Sequence, residues 1–464
     1  MTHEIDHTHD PKLTSWIESA NAPGSDFPIQ NLPFGVFSRG DDDHPRIGVA
    51  IGDSILDLEV CVNAGLFDPD LIDDEGEDAA HVHGGELDDE VTIALSMDSL
   101  NFFQSLGPAA WKHARSRISA LLSADNDELQ GNAELRAEAI VPMADAELYL
   151  PCEIGDYTDF YASVHHATNV GTMFRPDNPL LPNYKHIPVG YHGRASSVQV
   201  SGEPVRRPMG QTVAADSETP TFGPCRLLDY EFEIGVFVGA DNAALANDPG
   251  RRIEIGEAPA RLFGLVVLND WSARDVQKWE YQPLGPFLAK NFATSISPWI
   301  VTMDALAPFR CAAFDRPEGD PAPLDYLMDE HDQKHGGVHL VCETSILTPK
   351  MREQGLPPHR VSRGHFRDLY WTLAQMLTHH ASSGCPMAPG DLIGSGTVSG
   401  PEKENRGCLL ELTWRGTEPL ELPGGETRKF LQDGDEVVMT AYAERDGYRR
   451  IGLGTCSGVV LGAE

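Results

Sequence analysis

The amino-acid sequence predicts a mainly β protein with some α-helix, divided into two domains. Short strand-like runs between Gly and Pro turns dominate the chain after residue 150, whereas few stretches have helical periodicity. A length of 464 residues suffices for two or more domains. A Pro-containing stretch of short alternations at 136–151 separates two regions with different sequence patterns. We therefore predict an N-terminal domain at 1–150 and a C-terminal domain at 151–464.

Runs that alternate between apolar and polar residues predict the strands. In the first domain, "RIGVAIGDSILDLEV" at 46–60 alternates on both sides of a Gly-Asp pair, which is typical of a small β-unit with a tight turn. In the second domain we predict strands at 198–201, 227–239, 262–269, 408–414, 435–443 and 451–461.

Three stretches predict helices. Apolar residues recur at three- and four-residue steps in 99–125 and 365–380, and 155–171 begins with two Asp and ends at a Gly, as a capped helix does. If Asp159 opens the last of these helices, His166 lies two turns further on the same face and could share a cavity with it. Alternatively, Asp159 is only an N-cap and His166 only a buried core histidine, and the pattern leaves both interpretations open.

The composition excludes several classes of partner. The net charge is −36, from 35 basic and 71 acidic residues, so nucleic acid and anionic membranes would repel the chain. No apolar run approaches the roughly 18 residues of a membrane span. The N-terminus has neither a basic nor an apolar leader region, and the eight cysteines form no CxxC pair. Reduced thiols and a cytoplasmic location are therefore expected.

Acids interrupt two strongly apolar strands. In "LLDYEFEIGVFVG" the period of two places Asp229, Glu231 and Glu233 on one face, and Asp270 ends the run "GLVVLND". Buried carboxylates normally protonate, pair or bind a metal. Glu231, Glu233 and Asp270, together with Asp159, would form an all-oxygen ligand set, which suits Ca²⁺ or Mg²⁺ better than zinc or copper. A surface strand with one polar face is the open alternative.

Cations and amides cluster just after this acid. The segment 271–290 is apolar and aromatic, and its polar members, which point to recognition of a carboxylate-bearing substrate, are Arg274, Gln277, Tyr281 and Lys290. Ordinary surface salt bridges are the alternative. Glu411 lies alone in the predicted strand 408–414, and a histidine from elsewhere would be its natural partner.

Several long motifs resemble the fumarylacetoacetate hydrolase family. They are "GDYTDFYASVHHATNVGTMFRP", "IPVGYHGRASS", "LLDYEFE", "NDWSARDVQKWEYQPLGPFLAK", "SGTVSGPE" and "TRKFLQDGDEV", and the resemblance runs from residue 27 to the C-terminus. It implies an SH3-like N-terminal β-barrel, a C-terminal mixed β-roll and a homodimer. It also implies hydrolysis of a carbon–carbon bond in a dicarboxylate 1,3-diketone, 4-fumarylacetoacetate, to fumarate and acetoacetate, the last step of tyrosine and phenylalanine breakdown.

The resemblance implies a role for each matching site residue. The predicted catalytic dyad is His166 with Glu411, and the groups predicted to stabilise negative charge are Arg274, Gln277 and Lys290. The predicted substrate contacts are Tyr161, Arg175, Tyr191, Tyr281 and Thr397. The predicted ligands of Ca²⁺ and/or Mg²⁺ are Asp159, Glu231, Glu233 and Asp270, and Lys290 with Thr294 match a second cation region. Asp229 matches no functional position of the family.

Two alternatives remain open at this point. The first is a hydrolase or decarboxylase of a related acylpyruvate or β-diketo acid, which would share the same metal-ligating acids. The second, from another class, is a non-catalytic, metal-stabilised binding protein. The presence of His166 and Glu411 favours an enzyme, because binding alone needs no base.

Overall fold

A computed structural model describes most of the chain, namely residues 4–40, 42–67, 84–214, 216–240 and 250–464. It is built mainly of strands with short helices, so the predicted fold class is confirmed. Within the described residues, no helix combines the length and apolarity needed to cross a bilayer. The predicted division near residue 150 stays a prediction.

The first five strands form one antiparallel sheet, in the order β4-β3-β2-β1-β5. They are β1 (Phe34–Arg39), β2 (Asp42–Ile51), β3 (Ser54–Asp57), β4 (Ile140–Pro142) and β5 (Ala146–Tyr149). Ile51 lies opposite Ser54, so Gly52 and Asp53 form the two-residue turn predicted from the Gly-Asp pair. Gly52 has a φ of 61°, a conformation that favours glycine.

The remaining strands lie after residue 150. They are β6 (Tyr157–Phe160), β7 (Gly190–His192), β8 (Val198–Val200), β9 (Val205–Arg206), β10 (Met209–Thr212), β11 (Thr221–Pro224), β12 (Leu228–Asp229), β13 (Phe232–Val238), β14 (Leu262–Asp270), β15 (Ser272–Ala273), β16 (Thr294–Ile296), β17 (Val301–Thr302), β18 (Arg310–Cys311), β19 (Gly337–Val338), β20 (Leu340–Leu347), β21 (His359–His365), β22 (Leu392–Gly394), β23 (Leu420–Leu422), β24 (Glu426–Arg428), β25 (Glu436–Ala443) and β26 (Ile451–Leu461).

Two large mixed sheets contain most of these strands. The larger has the order β7-β6-β22-β13-β14-β16-β8, with β17 beside β14, and the second has the order β21-β20-β25-β26-β9. Four short pairs, β10-β11, β12-β15, β18-β19 and β23-β24, stand beside them. Strands β6, β22, β13 and β14 are direct neighbours, and three of the predicted metal-ligating acids, Asp159, Glu233 and Asp270, lie on them. The fourth, Glu231, lies just before β13.

The α-helices are short and lie around the sheets. They are α1 (Leu58–Asn63), α2 (Gly84–Leu95), α3 (Asn101–Ser105), α4 (Pro108–Leu122), α5 (Ala133–Ala139), α6 (Val164–Phe174), α7 (Arg274–Glu280), α8 (Glu330–His335), α9 (Pro349–Glu353), α10 (Leu373–Ala381) and α11 (Leu409–Leu412). Single 3₁₀ turns lie at His7–His9, Glu18–Asn21, Met143–Asp145, Ala195–Ser197, Ala258–Arg261, Ala307–Phe309, Asp325–Leu327, Phe366–Asp368 and Lys403–Asn405.

The central strand β14 is buried on both faces. Leu265 and Val267 enter the larger hydrophobic core, and Val266 and Leu268 enter the core formed largely by residues of the first 160 positions. This alternation explains the long apolar run in the sequence. By the same alternation Asp270 follows Val266 and Leu268 on the second face, just beyond the apolar part.

The predicted helix 99–125 is two helices. It breaks between α3 and α4, where Gly107 has a φ of 88° and Pro108 opens the next helix. The predicted helix 365–380 begins eight residues late, because Thr372 and Gln375 form a capping box that starts α10.

The predicted helix start at Asp159 is wrong. Asp159 lies on β6, and α6 begins at Val164 with Ser163 as its N-cap. The Ser163 hydroxyl accepts from the backbone N–H of His166, so His166 lies in the first turn of the helix. Asp159 and His166 therefore enter the same region as consecutive elements, a strand and then a helix, and not as two turns of one helix.

The predicted strand 408–414 is also wrong, since this segment forms the single helical turn α11. Trp414 and Arg415, with φ of 46° and 58°, end the turn. The predicted strand 227–239 is interrupted at Tyr230 and Glu231, which lie between β12 and β13. The predicted strands at 198–201, 262–269, 435–443 and 451–461 agree with β8, β14, β25 and β26 to within one residue.

Candidate active site

Three buried acids from neighbouring strands form the centre of the site. Asp159 on β6, Glu233 on β13 and Asp270 on β14 are each no more than 3% exposed. Each offers a carboxylate oxygen, and these oxygens lie within 4.8 Å of one another. Antiparallel pairing causes the convergence, because the beginning of β13 lies beside the end of β14.

The electrostatics of these acids fit a divalent cation. Burial raises the pKa of Glu233 well above its ordinary range, and the charges of Asp159 and Asp270 raise it further. Oδ1 of Asp159 and Oε1 of Glu233 are buried and have no hydrogen-bond partner among the described residues. Clustered, unpaired carboxylate oxygens are the ligands that Ca²⁺ and Mg²⁺ prefer.

Gly394 on β22 leaves room for this cluster. A Cβ atom at this position would lie 2.8 Å from Oδ1 of Asp159 and 2.9 Å from Oε2 of Glu233. The absent side chain therefore permits the two carboxylates to stand against the β22 backbone.

Glu231, the fourth predicted ligand, is paired with cations. Lys290 Nζ donates to its Oε1 at 2.5 Å and also donates to Asp270, and Arg274 Nη1 lies 2.7 Å from the same Oε1. Burial by itself would raise the pKa of Glu231, but Arg274 and Lys290 lower it well below its usual range. Glu231 is thus an anion that links the acid cluster to the basic side chains.

His166 and Glu411 form the predicted dyad contact. Nδ1 of His166 lies 2.6 Å from Oε2 of Glu411, and both side chains are almost completely buried. Burial opposes ionisation of Glu411, yet its bonds to His166 and Asn169 lower its pKa to about 2. An ionised Glu411 accepts the Nδ1 proton of His166, which leaves Nε2 as the basic nitrogen.

Nε2 of His166 faces Thr397 and Glu231. The hydroxyl oxygen of Thr397 is 3.3 Å away and Oε2 of Glu231 is 3.7 Å away. Thr397 also donates to Glu231. The ring of Tyr161 stands edge-on to the imidazole, with the ring centroids 5.1 Å apart. The basic nitrogen and the possible metal ligands therefore border one site.

Arg274 carries a buried donor that no described residue uses. Its Nε donates to Asp229 at 2.9 Å, and its Nη1 donates to Gln277 Oε1 at 3.4 Å besides meeting Glu231. Its Nη2 is buried and has no hydrogen-bond partner within the described ranges. A fully buried guanidinium nitrogen without an acceptor is suited to a developing negative charge.

Of the other predicted substrate and cation residues, two lie beside Asp270 and two form their bonds elsewhere. The hydroxyl of Tyr191 donates to Asp270 at 3.3 Å, and Thr294 on β16 is paired in register with Asp270. By contrast, Arg175 ends α6 and donates to Pro179 O, and Tyr281 ends α7 and accepts from Gln282. The described bonds of these last two residues lie outside the acid cluster.

Sequence reasoning missed several donors that surround the dyad. Glu411 also accepts hydrogen bonds from Asn169 Nδ2 at 2.8 Å, Ser399 Oγ at 2.8 Å and Cys408 Sγ at 3.2 Å. The three-residue step from His166 to Asn169 could have identified Asn169, because it places both on one helix face. Cys408 lies three residues before Glu411 in the same turn, whereas nothing in the sequence pattern connects Ser399 to the dyad, and only the tertiary structure brings it there.

Both halves of the chain match a known family. The profile described as "Fumarylacetoacetase N-terminal" matches residues 30–151, and that described as "Fumarylacetoacetate (FAA) hydrolase C-terminal" matches residues 156–461.

Full-length relatives agree with the profiles. The fumarylacetoacetase of Bos taurus is 50% identical over 443 residues, covering 95% of this chain and 98% of that protein. That of Oryza sativa subsp. japonica is 47% identical over 455 residues, covering 97% and 98%. Among solved structures, the fumarylacetoacetate hydrolase of psychrophilic Exiguobacterium antarcticum is 17% identical, with a TM-score of 0.47 over 93% of this chain and 99% of that chain. On the profiles and the full-length identities, the chain belongs to the fumarylacetoacetate hydrolase family.

Proposed function

We propose that this protein hydrolyses 4-fumarylacetoacetate to fumarate and acetoacetate, the reaction named in its full-length relatives. One observation carries the proposal at the site. Within the described residues, a buried His166–Glu411 pair, 2.6 Å apart, presents its basic nitrogen to Glu231, which Lys290 links to a cluster of acids with two unpaired oxygens, and Arg274 carries an unpaired donor. This combination provides a base, an anion-stabilising donor and a cation site linked by the contacts of Glu231.

His166 acts as the general base on water. The Nδ1–H group of His166 donates to ionised Glu411, which leaves Nε2 free to take a proton from the attacking water. The resulting hydroxide adds to the carbonyl carbon next to the double bond of the substrate. General-base assistance of this kind contributes typically 10²–10⁴-fold in rate. The hydroxyl of Thr397 lies 3.3 Å from Nε2 and helps to orient the imidazole and the water between which this proton moves.

Arg274, Gln277 and Lys290 stabilise the negative charge that then develops. The tetrahedral alkoxide receives the free Nη2–H of Arg274, which needs no prior bond to be broken. Tyr161, Arg175, Tyr191 and Tyr281 are assigned to binding of the substrate and its carboxylates, as the family resemblance implies. Arg175 and Tyr281 would reach the substrate only by reorienting, since their described bonds lie outside the cluster.

Collapse of the alkoxide breaks the carbon–carbon bond. The bonding electrons leave with the acetoacetate fragment as an enolate, which receives the proton held by His166, while the other fragment departs as fumarate. The chemistry that a bound divalent cation supplies here is Lewis-acid polarisation of the diketone oxygens and stabilisation of that enolate. The residues that would hold it are Asp159, Glu231, Glu233 and Asp270.

We assign the cation to Ca²⁺ or Mg²⁺, because every proposed ligand is a carboxylate. A second cation region at Lys290 and Thr294 is part of the same proposal. It is supported by the position of both residues beside Asp270, Lys290 through a hydrogen bond and Thr294 through strand register.

The activity is tested by loss of the ultraviolet absorbance of fumarylacetoacetate, with fumarate identified as product. Absence of turnover by the purified, metal-loaded protein would refute the proposal, and cleavage of an acylpyruvate in its place would support the related hydrolase instead. His166→Phe should abolish turnover while the metal content stays near that of wild type. The matched control is His165→Phe, since His165 is the adjacent, partly buried histidine and should keep turnover.

The cation is tested on the same protein. Removal of metal by a chelator should abolish turnover, and Ca²⁺ or Mg²⁺ should restore it. Full turnover after metal removal has been verified by elemental analysis would refute the assignment of Asp159, Glu233 and Asp270 as functional ligands.

We further propose a homodimer, supported by an exposed apolar surface beside the site. Phe222, Leu284 and Phe287 are 71%, 96% and 60% exposed, and Trp279 and Leu288 are about half exposed. They lie on the β10–β11 hairpin, α7 and the segment that leads to Lys290. Grouped exposed apolar side chains of this size are typical of protein interfaces.

The dimer is tested by sedimentation of the purified chain. Leu284→Asp with Phe287→Asp should convert dimer to monomer, whereas Leu324→Asp, an exposed leucine elsewhere, should not. A monomeric wild type would refute the proposal.

A cytoplasmic location is likewise proposed, supported by the eight cysteines, all of which are free thiols. Cell fractionation with an antibody against the protein tests the location, and recovery outside the cytoplasmic fraction would refute it.

A further inference from the structure

Asp229 is a fully buried acid to which the family resemblance assigns no function. It ends β12, two residues before Glu231, and its side chain has no exposed surface. Its carboxylate accepts hydrogen bonds from four donors. Tyr230 N and Leu409 N donate to Oδ1 at 2.9 and 2.8 Å, and Leu410 N and Arg274 Nε donate to Oδ2, each at 2.9 Å.

Two of these bonds cap the helical turn that carries Glu411. The first backbone N–H groups of any helix lack partners within the helix. Cys408, the N-cap of α11, provides no side-chain cap bond, and the carboxylate of Asp229 satisfies the N–H groups of Leu409 and Leu410 in its place. Glu411 is the next residue of this single turn, so the position of the turn sets the position of the dyad carboxylate.

The fourth bond orients Arg274. Nε of Arg274 is held by Asp229 and Nη1 by Glu231, so two of the three nitrogens of a rigid, planar guanidinium are fixed. The direction of the third nitrogen, Nη2, follows from those two bonds. Nη2 is the buried donor without a partner among the described residues.

We propose that Asp229 is a positioning residue that holds Arg274 and the Glu411 turn in one fixed relative geometry. The inference rests on the proposed hydrolysis, because Arg274 and Glu411 derive their roles from it. The positioning role explains why Asp229, which precedes Glu231 and Glu233 in this segment, is buried although it is not among the proposed metal ligands. One carboxylate aligns the anion-stabilising donor and the acid of the dyad, which come from distant parts of the chain.

Two substitutions of Asp229 separate its contacts. Asp229→Asn keeps an oxygen for Tyr230 N and Leu409 N but turns an NH₂ group toward Leu410 N–H and Arg274 Nε–H, so donors face donors. Asp229→Ala removes all four acceptor contacts. We expect both to lower kcat by on the order of 10–100-fold, the usual effect of removing a group that orients a catalytic one. The KM should stay within about threefold, because Arg274 contributes mainly in the transition state.

The matched control is Asp435→Asn. Asp435 is also completely buried, and it accepts from Arg428 Nε and from Gln432 N, both at 2.8 Å, without bonding to a site residue. Its variant should lose stability but keep kcat within about threefold, when circular dichroism shows both proteins to be folded at the assay temperature. The inference is overturned if Asp229→Asn keeps the wild-type kcat, or if Asp435→Asn loses as much as Asp229→Asn.

A spectroscopic measurement separates this inference from the proposed function. The short Nδ1–H hydrogen bond between His166 and Glu411 should give a downfield proton NMR signal, identified by its loss in Glu411→Gln. We expect Asp229→Ala to shift or abolish this signal and Asp435→Asn to preserve it. If the wild type fails to cleave fumarylacetoacetate, the proposed function fails, while the signal still tests the Asp229 contact. An unchanged signal in Asp229→Ala would overturn the inference.

Discussion

Replacing Lys290 by Met should destabilise the metal-free protein strongly. The ammonium group of Lys290 donates to Glu231 and to Asp270, and all three side chains are at least nine-tenths buried. Methionine has a similar length but no charge, so the main loss is the cation between two buried carboxylates. The variant leaves both acids beside Asp159 and Glu233 with one positive charge fewer.

The magnitude follows from the burial of the pair. Removing one partner of a buried ion pair costs about 3–5 kcal/mol, because the remaining charge stays desolvated without its partner. A divalent cation that binds only the folded state stabilises it by about 4 kcal/mol at a free concentration 1,000 times its Kd. With Lys290 absent, Asp270 loses its cationic partner and Glu231 keeps only Arg274, so both acids can interact more strongly with that cation. Metal should therefore restore more stability in Lys290→Met than it adds to wild type.

The assay is urea-induced unfolding followed by tryptophan fluorescence, in chelator and in saturating Ca²⁺. Lys403→Met is the matched control, since Lys403 pairs at 2.5 Å with Glu418 but about half of each side chain is exposed. Its loss should stay within about 1 kcal/mol. A loss below about 1 kcal/mol for metal-free Lys290→Met, or equal protection of variant and wild type by Ca²⁺, would refute the reasoning.

Three further outcomes are expected. The pKa of Glu411 is lowered to about 2, so the stabilising effect of the ionised carboxylate is complete above the pKa of the unfolded state, near 4.5, and declines as the pH falls below that value. The free energy of unfolding of wild type exceeds that of Glu411→Gln by an amount that should shrink by about 2 kcal/mol between about pH 5 and pH 3. A constant difference would contradict the shift. Gly394→Ala should lose bound metal and turnover, whereas Gly223→Ala, whose added Cβ meets no atom within 4 Å, should lose neither. The net charge of −36 should make the thermal midpoint higher in about 1 M KCl than in about 0.05 M, because salt screens self-repulsion; a lower midpoint at high salt would contradict this.

Prediction from the sequence succeeded where local periodicity decides the structure. Strand β14 and the hairpin at Gly52 follow from alternation and turn residues, which act between near neighbours in the chain. Alternation also predicted one continuous strand with Glu231 and Glu233 on one face, but Glu231 lies outside β13, where that strand is interrupted. Alternation also failed for the segment that carries Glu411, because an acid from a distant strand caps that segment as a helical turn.

For the same reason, the residues of the site were predicted better than the local structure that carries them. The family motifs identified His166 and Glu411, whose contact of 2.6 Å the structure contains, although the predicted local structure around both residues was wrong. Asp159 was expected to open a helix and instead lies on a strand beside β22. A helix-capping pattern in the sequence does not reveal which residue caps, because that depends on where the preceding strand ends.

The sequence alone determined the chemical character of this protein, an acidic chain with a face of carboxylates on buried strands, because residue type and a period of two are local properties. The tertiary structure decided how those acids are used. Asp159, Glu233 and Asp270 converge, the first two with an oxygen each that the described residues leave unpaired. Glu231 pairs with Lys290 and Arg274, and Asp229 caps the Glu411 turn. The physical reason is that a buried carboxylate depends on whichever charge or donor lies within about 3 Å, and strand pairing and helix packing choose those neighbours.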